Sequence, residues 1–205
     1  MDYPFDSIGL DDEVIENFTE TYKTLKNKFG IESTGYINFN LEDFESFKHC
    51  QSVTIRGSYV IKKAGNDCYI FFLDVRYGSV GERGNYGLYN DCQTWALAYL
   101  KKNFGRVLIR PETLTDKILE LIHPIELDFA DDKAFSNTFY VLVNDRQKAE
   151  VAIDSNFRKV VMDVRERDFV IEIINHTLII GNRKSVSPEN AEYLAEFVAR
   201  IASNC

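Results

Sequence analysis

Residues 68–77 constrain the fold most strongly, because aromatic and branched side chains alternate along this segment. A period of two residues is typical of a β-strand, in which successive side chains point to opposite faces of a sheet. One face of this strand is apolar throughout, which predicts that it lies in the core; its members are Tyr69, Phe71, Leu73, Val75 and Tyr77. The opposite face carries two charges, Asp74 and Arg76, after three apolar positions.

The rest of the chain mixes the two periodicities. Apolar residues at helical spacing predict helices over residues 11–29, 41–48, 111–124, 145–164 and 187–201. Alternating or short apolar runs predict strands over residues 53–61, 92–100, 107–109, 138–143, 168–174 and 177–181. The strands come in adjacent pairs, so the predicted fold class is α+β, an antiparallel sheet of hairpins and meanders with helices packed on it.

Between two of these strands, residues 78–90 hold four glycines, Gly78, Gly81, Gly84 and Gly87. Glycine gives the backbone high conformational freedom, so this segment is predicted to be a mobile loop that could order on binding. A hairpin closed across the loop would bring Arg76 close to Cys92.

The domain organisation is predicted as a single unit over residues 1–205. An alternative is two subdomains, 1–124 and 125–205, because aspartates cluster between Pro124 and Lys133.

Net charge and composition exclude several classes of protein. The formal charge is −8 and the basic stretches are short, which argues against nucleic-acid binding. Uninterrupted apolar runs such as residues 69–73 are far too short to span a bilayer, and the acidic N-terminus is unlike a signal peptide. We therefore expect a cytoplasmic protein.

The cysteines and histidines give no pattern of metal ligands or disulfides. They are Cys50, Cys68, Cys92 and Cys205, with His49, His123 and His176. Free thiols are the expected state in a reducing compartment, and no metal and no cofactor are predicted.

Three candidate sites remain. Cys92 precedes an amphipathic segment, and with His49 as base it would form a cysteine hydrolase. Asp74 and Arg76, about 7 Å apart along one strand face, could bind a small anion, although a cross-strand ion pair is the commoner role of such a pair. Arg110, at the end of a strand before Pro111, could hold a carboxylate.

The order of several motifs resembles that of a family of uncharacterised bacterial proteins. The family pattern is a D-Y-x-Y-x-x-G strand, a Q-T strand, an L-R-P-E element and an F-S-x-x-Y-x-L-x-G-x-D segment. The residues that carry the resemblance here are 72–78, Gln93-Thr94, 107–112, 127–129, 134–136 and 139–145. Val75 stands where the family has Tyr, and Asn144 where it has Gly. Some family members carry a membrane anchor, and the resemblance implies no catalytic residue.

These observations favour a soluble, non-catalytic module that binds a protein or a small ligand. The chain is well patterned for folding but lacks a converging set of titratable groups. An aromatic content of 13% also leaves tyrosines for a contact surface. The alternative is the hydrolase using Cys92 with His49. The sequence leaves the partner and the oligomeric state open.

Overall fold

The structure is a computed structural model that describes residues 3–35, 37–63, 66–80, 86–111, 124–164 and 168–204. Its strands are β1 Glu32–Ser33, β2 Ser52–Lys63, β3 Asn66–Val80, β4 Tyr86–Tyr99, β5 Arg106–Pro111, β6 Ile125–Glu126, β7 Phe139–Val143, β8 Val170–Ile174 and β9 Thr177–Ser185. Its α-helices are α1 Asp12–Phe29, α2 Glu45–Lys48, α3 Lys133–Ser136, α4 Arg146–Ala152, α5 Ser155–Met162 and α6 Pro188–Asn204, and a 3₁₀ turn spans Leu41–Asp43.

The described strands form one sheet in the order β1-β2-β3-β4-β9-β8-β5-β7-β6. Every neighbouring pair in this order is antiparallel, so the predicted α+β class with an antiparallel sheet is confirmed. β4 pairs with β9, and β5 lies between β8 and β7. Strands from before and after residue 124 thus alternate within one sheet, and the possible division at 124 does not coincide with a break in it.

Both faces of the sheet are covered. The larger core lies on the face against which α1 and α6 pack, and it includes Phe18 of α1, Phe72 of β3 and Leu194 of α6. On the opposite face, the segment 39–47 covers β3, β4 and β9 with phenylalanines such as Phe47, which contacts Trp95. The predicted apolar face of residues 69–77 therefore lies in the core, with Tyr69 partly buried and the rest buried, and the other face is buried as far as Asp74.

The first helix shows how local sequence determines the start and end of an element. The side chain of Asp11 accepts a hydrogen bond from Val14 N at 2.9 Å, which satisfies a backbone donor in the first turn. Gly30 ends the helix with φ +62°, a left-handed conformation that glycine adopts without strain. Phe18 and Leu25 form the buried stripe between these ends. This element was predicted with its correct limits.

Three predicted elements differ from the structure. The prediction of a loop is wrong for residues 78–80 and 86–90, because these residues belong to the paired strands β3 and β4. Residues 81–85 lie outside the described part of the chain. The helix predicted over 145–164 is broken, because Asp154 accepts hydrogen bonds from two backbone N–H groups and starts α5. Pro111 ends β5 opposite Phe139 instead of opening a helix, and residues 112–123 lie outside the described part.

No helix among the described residues combines the length and the apolar character needed to cross a membrane.

Candidate ligand-binding cleft

A polar cleft of about 460 Å³ lies where the N-terminus of α1 meets β3 and β4. Two of the sequence-predicted site residues, Asp74 and Arg76, line it together with Cys92. The remaining wall comes from the first turns of α1 and from Ser185 and Val186, where the chain leaves β9. The cleft is thus built from segments that are far apart in sequence.

The register of the β3–β4 hairpin differs from the expected one by two residues. Asp74 lies opposite Cys92, and Arg76 lies opposite Asn90. Arg76 Nε donates to Asn90 Oδ1 at 3.1 Å, and the other nitrogens of this exposed guanidinium have no hydrogen-bond partner among the described residues. Arg76 therefore keeps donors available at the cleft.

Asp74 does not remain free for a ligand, because Arg56 neutralises it. Arg56 Nη2 lies 2.6 Å from Asp74 Oδ2, and Arg56 Nη1 lies 3.0 Å from Asp6 Oδ2. Arg56 sits at an irregularity in β2, between the paired residues Ile55 and Gly57. Asp74 is 8% exposed, so this ion pair is a largely buried structural contact. The sequence interpretation missed Arg56, although a charge next to a glycine within a strand is a signal of a bulge.

The carboxylates at the N-terminus of α1 give the cleft an acidic side. Asp11 caps the helix, and Glu13 is exposed and takes part in no ion pair within the described residues. Apart from the capping Asp11, the charged side chains of the cleft that are left for an incoming polar group are therefore Glu13, Asp91 and Arg76.

Cys92 is half-buried at the base of the cleft. Burial raises the pKa of its thiol to about 11, and the negative charge of Asp74 acts in the same direction. At neutral pH the sulfur is a protonated thiol, which is a weak nucleophile.

The Cys92–His49 pair is not assembled. Cys92 contacts the core on the face covered by α1 and α6. His49 ends α2, whose Phe47 belongs to the core on the opposite face, so the sheet separates the two residues. His49 is also exposed. Alternation places Cys92 on one face of the sheet, but the sequence does not reveal which face the segment with His49 covers. The sequence could therefore not show whether Cys92 and His49 meet.

Arg110 lies apart from the cleft. It belongs to β5, which is three strands from β4 in the sheet, or about 14 Å at the usual strand spacing. Its guanidinium carbon lies 4.7 Å from the centre of the Tyr140 ring, a cation–π contact between neighbouring strands. The structure therefore does not bring Arg110 together with Asp74 and Arg76.

A second polar cluster is buried on the opposite face and fixes α2 to the sheet. Glu172 of β8 is 3% exposed and accepts hydrogen bonds from Glu45 N, Ser46 N and Ser46 Oγ. Arg106 pairs with the Glu45 carboxylate at 2.9 Å. Burial raises the pKa of Glu172 above its usual value. All three acceptor contacts are internal, so this cluster holds the chain together and leaves no group for a ligand.

The predicted aspartate cluster also has an internal partner. Arg158, which is almost fully buried, lies 2.7 Å from Asp131 and 3.1 Å from Asp132, and its guanidinium covers the Phe129 ring. No group of three or more His, Cys, Asp or Glu residues suited to a metal ion occurs in the part of the chain that the structure describes.

Together these features define a class of protein: an α+β fold with one open antiparallel sheet and a polar cleft at the start of its first long helix. No protein-family model and no curated protein matches the chain. A solved structure with a similar fold is that of the mycobacterial trehalose monomycolate transport factor A, TtfA. The TM-score is 0.61 at 11% sequence identity, over 90% of this chain and 92% of that one. At this identity the likeness shows the fold alone.

Proposed function

We propose that this chain is a non-catalytic binding module and that its ligand binds in the cleft between α1, β3 and β4. The observation that carries the proposal is the division of charges there. Arg56 and Asp74 form an ion pair, while Glu13, Asp91 and Arg76 remain available to a polar ligand. The raised pKa of Cys92 supports the non-catalytic part of the proposal, because a neutral thiol does not attack substrates efficiently.

Two further observations support an accessory role in the cell. The protein with the similar fold is described as a transport factor, which is not an enzymatic activity. Cys50, Cys68 and Cys92 form no disulfide among the described residues, as is usual in a reducing compartment, and we include a cytoplasmic location in the proposal.

The non-catalytic role is tested by alkylation of Cys92 with iodoacetamide as a function of pH, followed by peptide mass spectrometry. We expect a midpoint near pH 11, because the thiolate is the reactive form. The His49→Ala variant should give the same profile. A midpoint well below 8.5 that depends on His49 would contradict the proposal and restore the hydrolase.

Binding is tested with the same thiol as a reporter inside the cleft. Wild-type protein is alkylated at pH 9 in the presence of spermidine, arginine amide, citrate or inorganic phosphate, each at several concentrations. A bound compound should slow the modification of Cys92, and Glu13→Gln or Arg76→Gln should abolish that protection. Glu20→Gln, on the same helix but outside the cleft, is the matched control. If no compound slows the modification, the cleft is not a ligand site.

A further inference from the structure

β3 and β4 extend beyond both of their neighbours in the sheet. β2 pairs with β3 only as far as Arg76, and β9 pairs with β4 only from Gln93 onward. Residues 77–80 of β3 and residues 86–91 of β4 therefore each have only one paired neighbouring strand among the described residues, and we call these strand ends the ribbon. The β4 side of the ribbon begins at the cleft, since Asn90, Asp91 and Cys92 line it.

The backbone of β4 in the ribbon has free hydrogen-bonding groups. Cys92 O accepts from Val186 N at 3.1 Å, so the backbone of Cys92 points away from β3. In an antiparallel pair this direction alternates from one residue to the next. The N–H and C=O groups of Asn90 and Leu88, which are two and four positions before Cys92, therefore also point away from β3. No backbone group of the described residues pairs with them on that side. Such a row of donors and acceptors is a template for another strand.

The sequence of this edge lacks the residues that usually block an added strand. Residues 86–90 have the sequence Tyr-Gly-Leu-Tyr-Asn, without a charge or a proline, which are the usual protection of an exposed edge. Leu88 and Tyr89 are 53% and 48% exposed, and Tyr89 stacks on Tyr77 with ring centres 5.1 Å apart. An added strand would find apolar surface on both faces of the ribbon.

Charge complementarity indicates what would occupy the edge. Glu13, Asp11 and Asp91 adjoin its inner end, and none of them forms an ion pair with the described residues. Among the described residues that line the cleft, Arg76 is the one cation besides Arg56, which is paired with Asp74, so the carboxylates outnumber the available cation. The chain as a whole carries a formal charge of −8. A second copy pairing across a two-fold axis would bring two acidic clefts together, whereas a strand with lysine or arginine at alternate positions would neutralise them.

We propose that the free edge of β4 binds an extended, basic segment of a partner protein as an additional β-strand. The inference rests on the proposed function, because the cleft receives the basic side chains of that segment. It names the ligand as a peptide in extended conformation, held by the backbone of Leu88 and Asn90 and selected by the carboxylates beside them.

The probe is an acetylated and amidated octapeptide, Lys-Val-Thr-Val repeated twice, and the measurement is amide hydrogen exchange by NMR. We expect slower exchange at Leu88 and Asn90, whose N–H groups gain a partner, and little change at Tyr89, whose N–H points to β3. The matched peptide with Glu in place of Lys should have no effect. Protection by both peptides alike, or by neither, overturns the proposal.

Two variants separate the backbone contact from the side-chain contact. Leu88→Pro removes the outward N–H donor and should weaken the peptide at least about tenfold, the effect of losing about 1.4 kcal/mol. Leu88→Ala keeps the donor and should stay within about threefold of wild type. Undiminished binding to Leu88→Pro overturns strand addition. If the peptide still protects Cys92 from alkylation in that case, the cleft remains a binding site and the proposed function survives.

Discussion

Gly181 of β9 packs directly against the indole ring of Trp95, and this contact leads to a sharp prediction. A Cβ atom at position 181 would lie 2.6 Å from Trp95 Cε3 and 2.7 Å from Cε2, with Cδ2 nearer still. Real Cβ atoms do not approach ring carbons this closely, so Gly181→Ala requires the ring or the strand to move.

The ring is held on several sides. Trp95 Nε1 donates to Gln93 Oε1 at 2.9 Å, and Gln93 Nε2 donates to Tyr77 Oη at 2.9 Å. Phe47 contacts the indole with ring centres 4.8 Å apart. Overpacking costs about 1–3 kcal/mol, and a buried acceptor left without its donor costs about 1–3 kcal/mol more. We therefore expect Gly181→Ala to lower the free energy of unfolding by about 3 kcal/mol.

The assay is urea denaturation monitored by circular dichroism and by the emission of Trp95, the one tryptophan in the sequence. In a thermal melt followed by circular dichroism, the melting temperature should fall by about 6–12 °C, at about 2–4 °C per kcal/mol for a chain of this size. In a Trp95→Phe background the same substitution should cost at least about 1 kcal/mol less, because the smaller ring leaves room. A Gly181→Ala protein within about 0.5 kcal/mol of wild type, with unchanged emission, would refute the reasoning.

Three further substitutions test other buried groups by urea denaturation. Arg56→Met leaves the buried Asp74 carboxylate without its cation and should cost about 3 kcal/mol, whereas a cost below about 1 kcal/mol would mean that the pair is exposed in solution. Thr94→Val replaces a buried hydroxyl that has no hydrogen-bond partner among the described residues and should stabilise the protein by about 1 kcal/mol; a loss of stability would reveal a partner for that hydroxyl. Glu172 has a pKa that burial raises, so its contribution to stability is fully present below its unfolded pKa and is lost as pH rises through the higher folded pKa. The difference in stability between wild type and Glu172→Gln should therefore shrink between pH 4 and pH 7, and an increase with pH would contradict the raised pKa.

Local patterns predicted the elements whose ends are determined by nearby residues. The first helix has its cap, its apolar stripe and its terminal glycine within one short segment, and the helix predicted from the apolar spacing of residues 11–29 is present. The strand 68–77 was recognisable because alternation is a local property, and its apolar face lies in the core. The α+β class followed from the order of such segments.

Long-range pairing determined what the sequence did not predict. Gly78 and Gly87 belong to strands because each faces a partner across the ribbon, and pairing overrides their flexibility. The cleft depends on Arg56 reaching Asp74 from the next strand, and the separation of Cys92 from His49 depends on which face the segment 39–47 covers. The resemblance to the bacterial family stays a prediction.

The pairing of β4 with β9 has a consequence for how the chain is made on the ribosome. β4 ends at Tyr99 and its neighbour begins at Thr177, so about 80 residues must follow before that side of β4 is closed. At roughly 5–20 residues per second, the interval lasts roughly 4–16 s. During this time the outer edge of β4 in the apolar meander β2–β3–β4 has no pairing strand. A nascent or truncated chain that ends before residue 177 should therefore depend on chaperones to avoid aggregation.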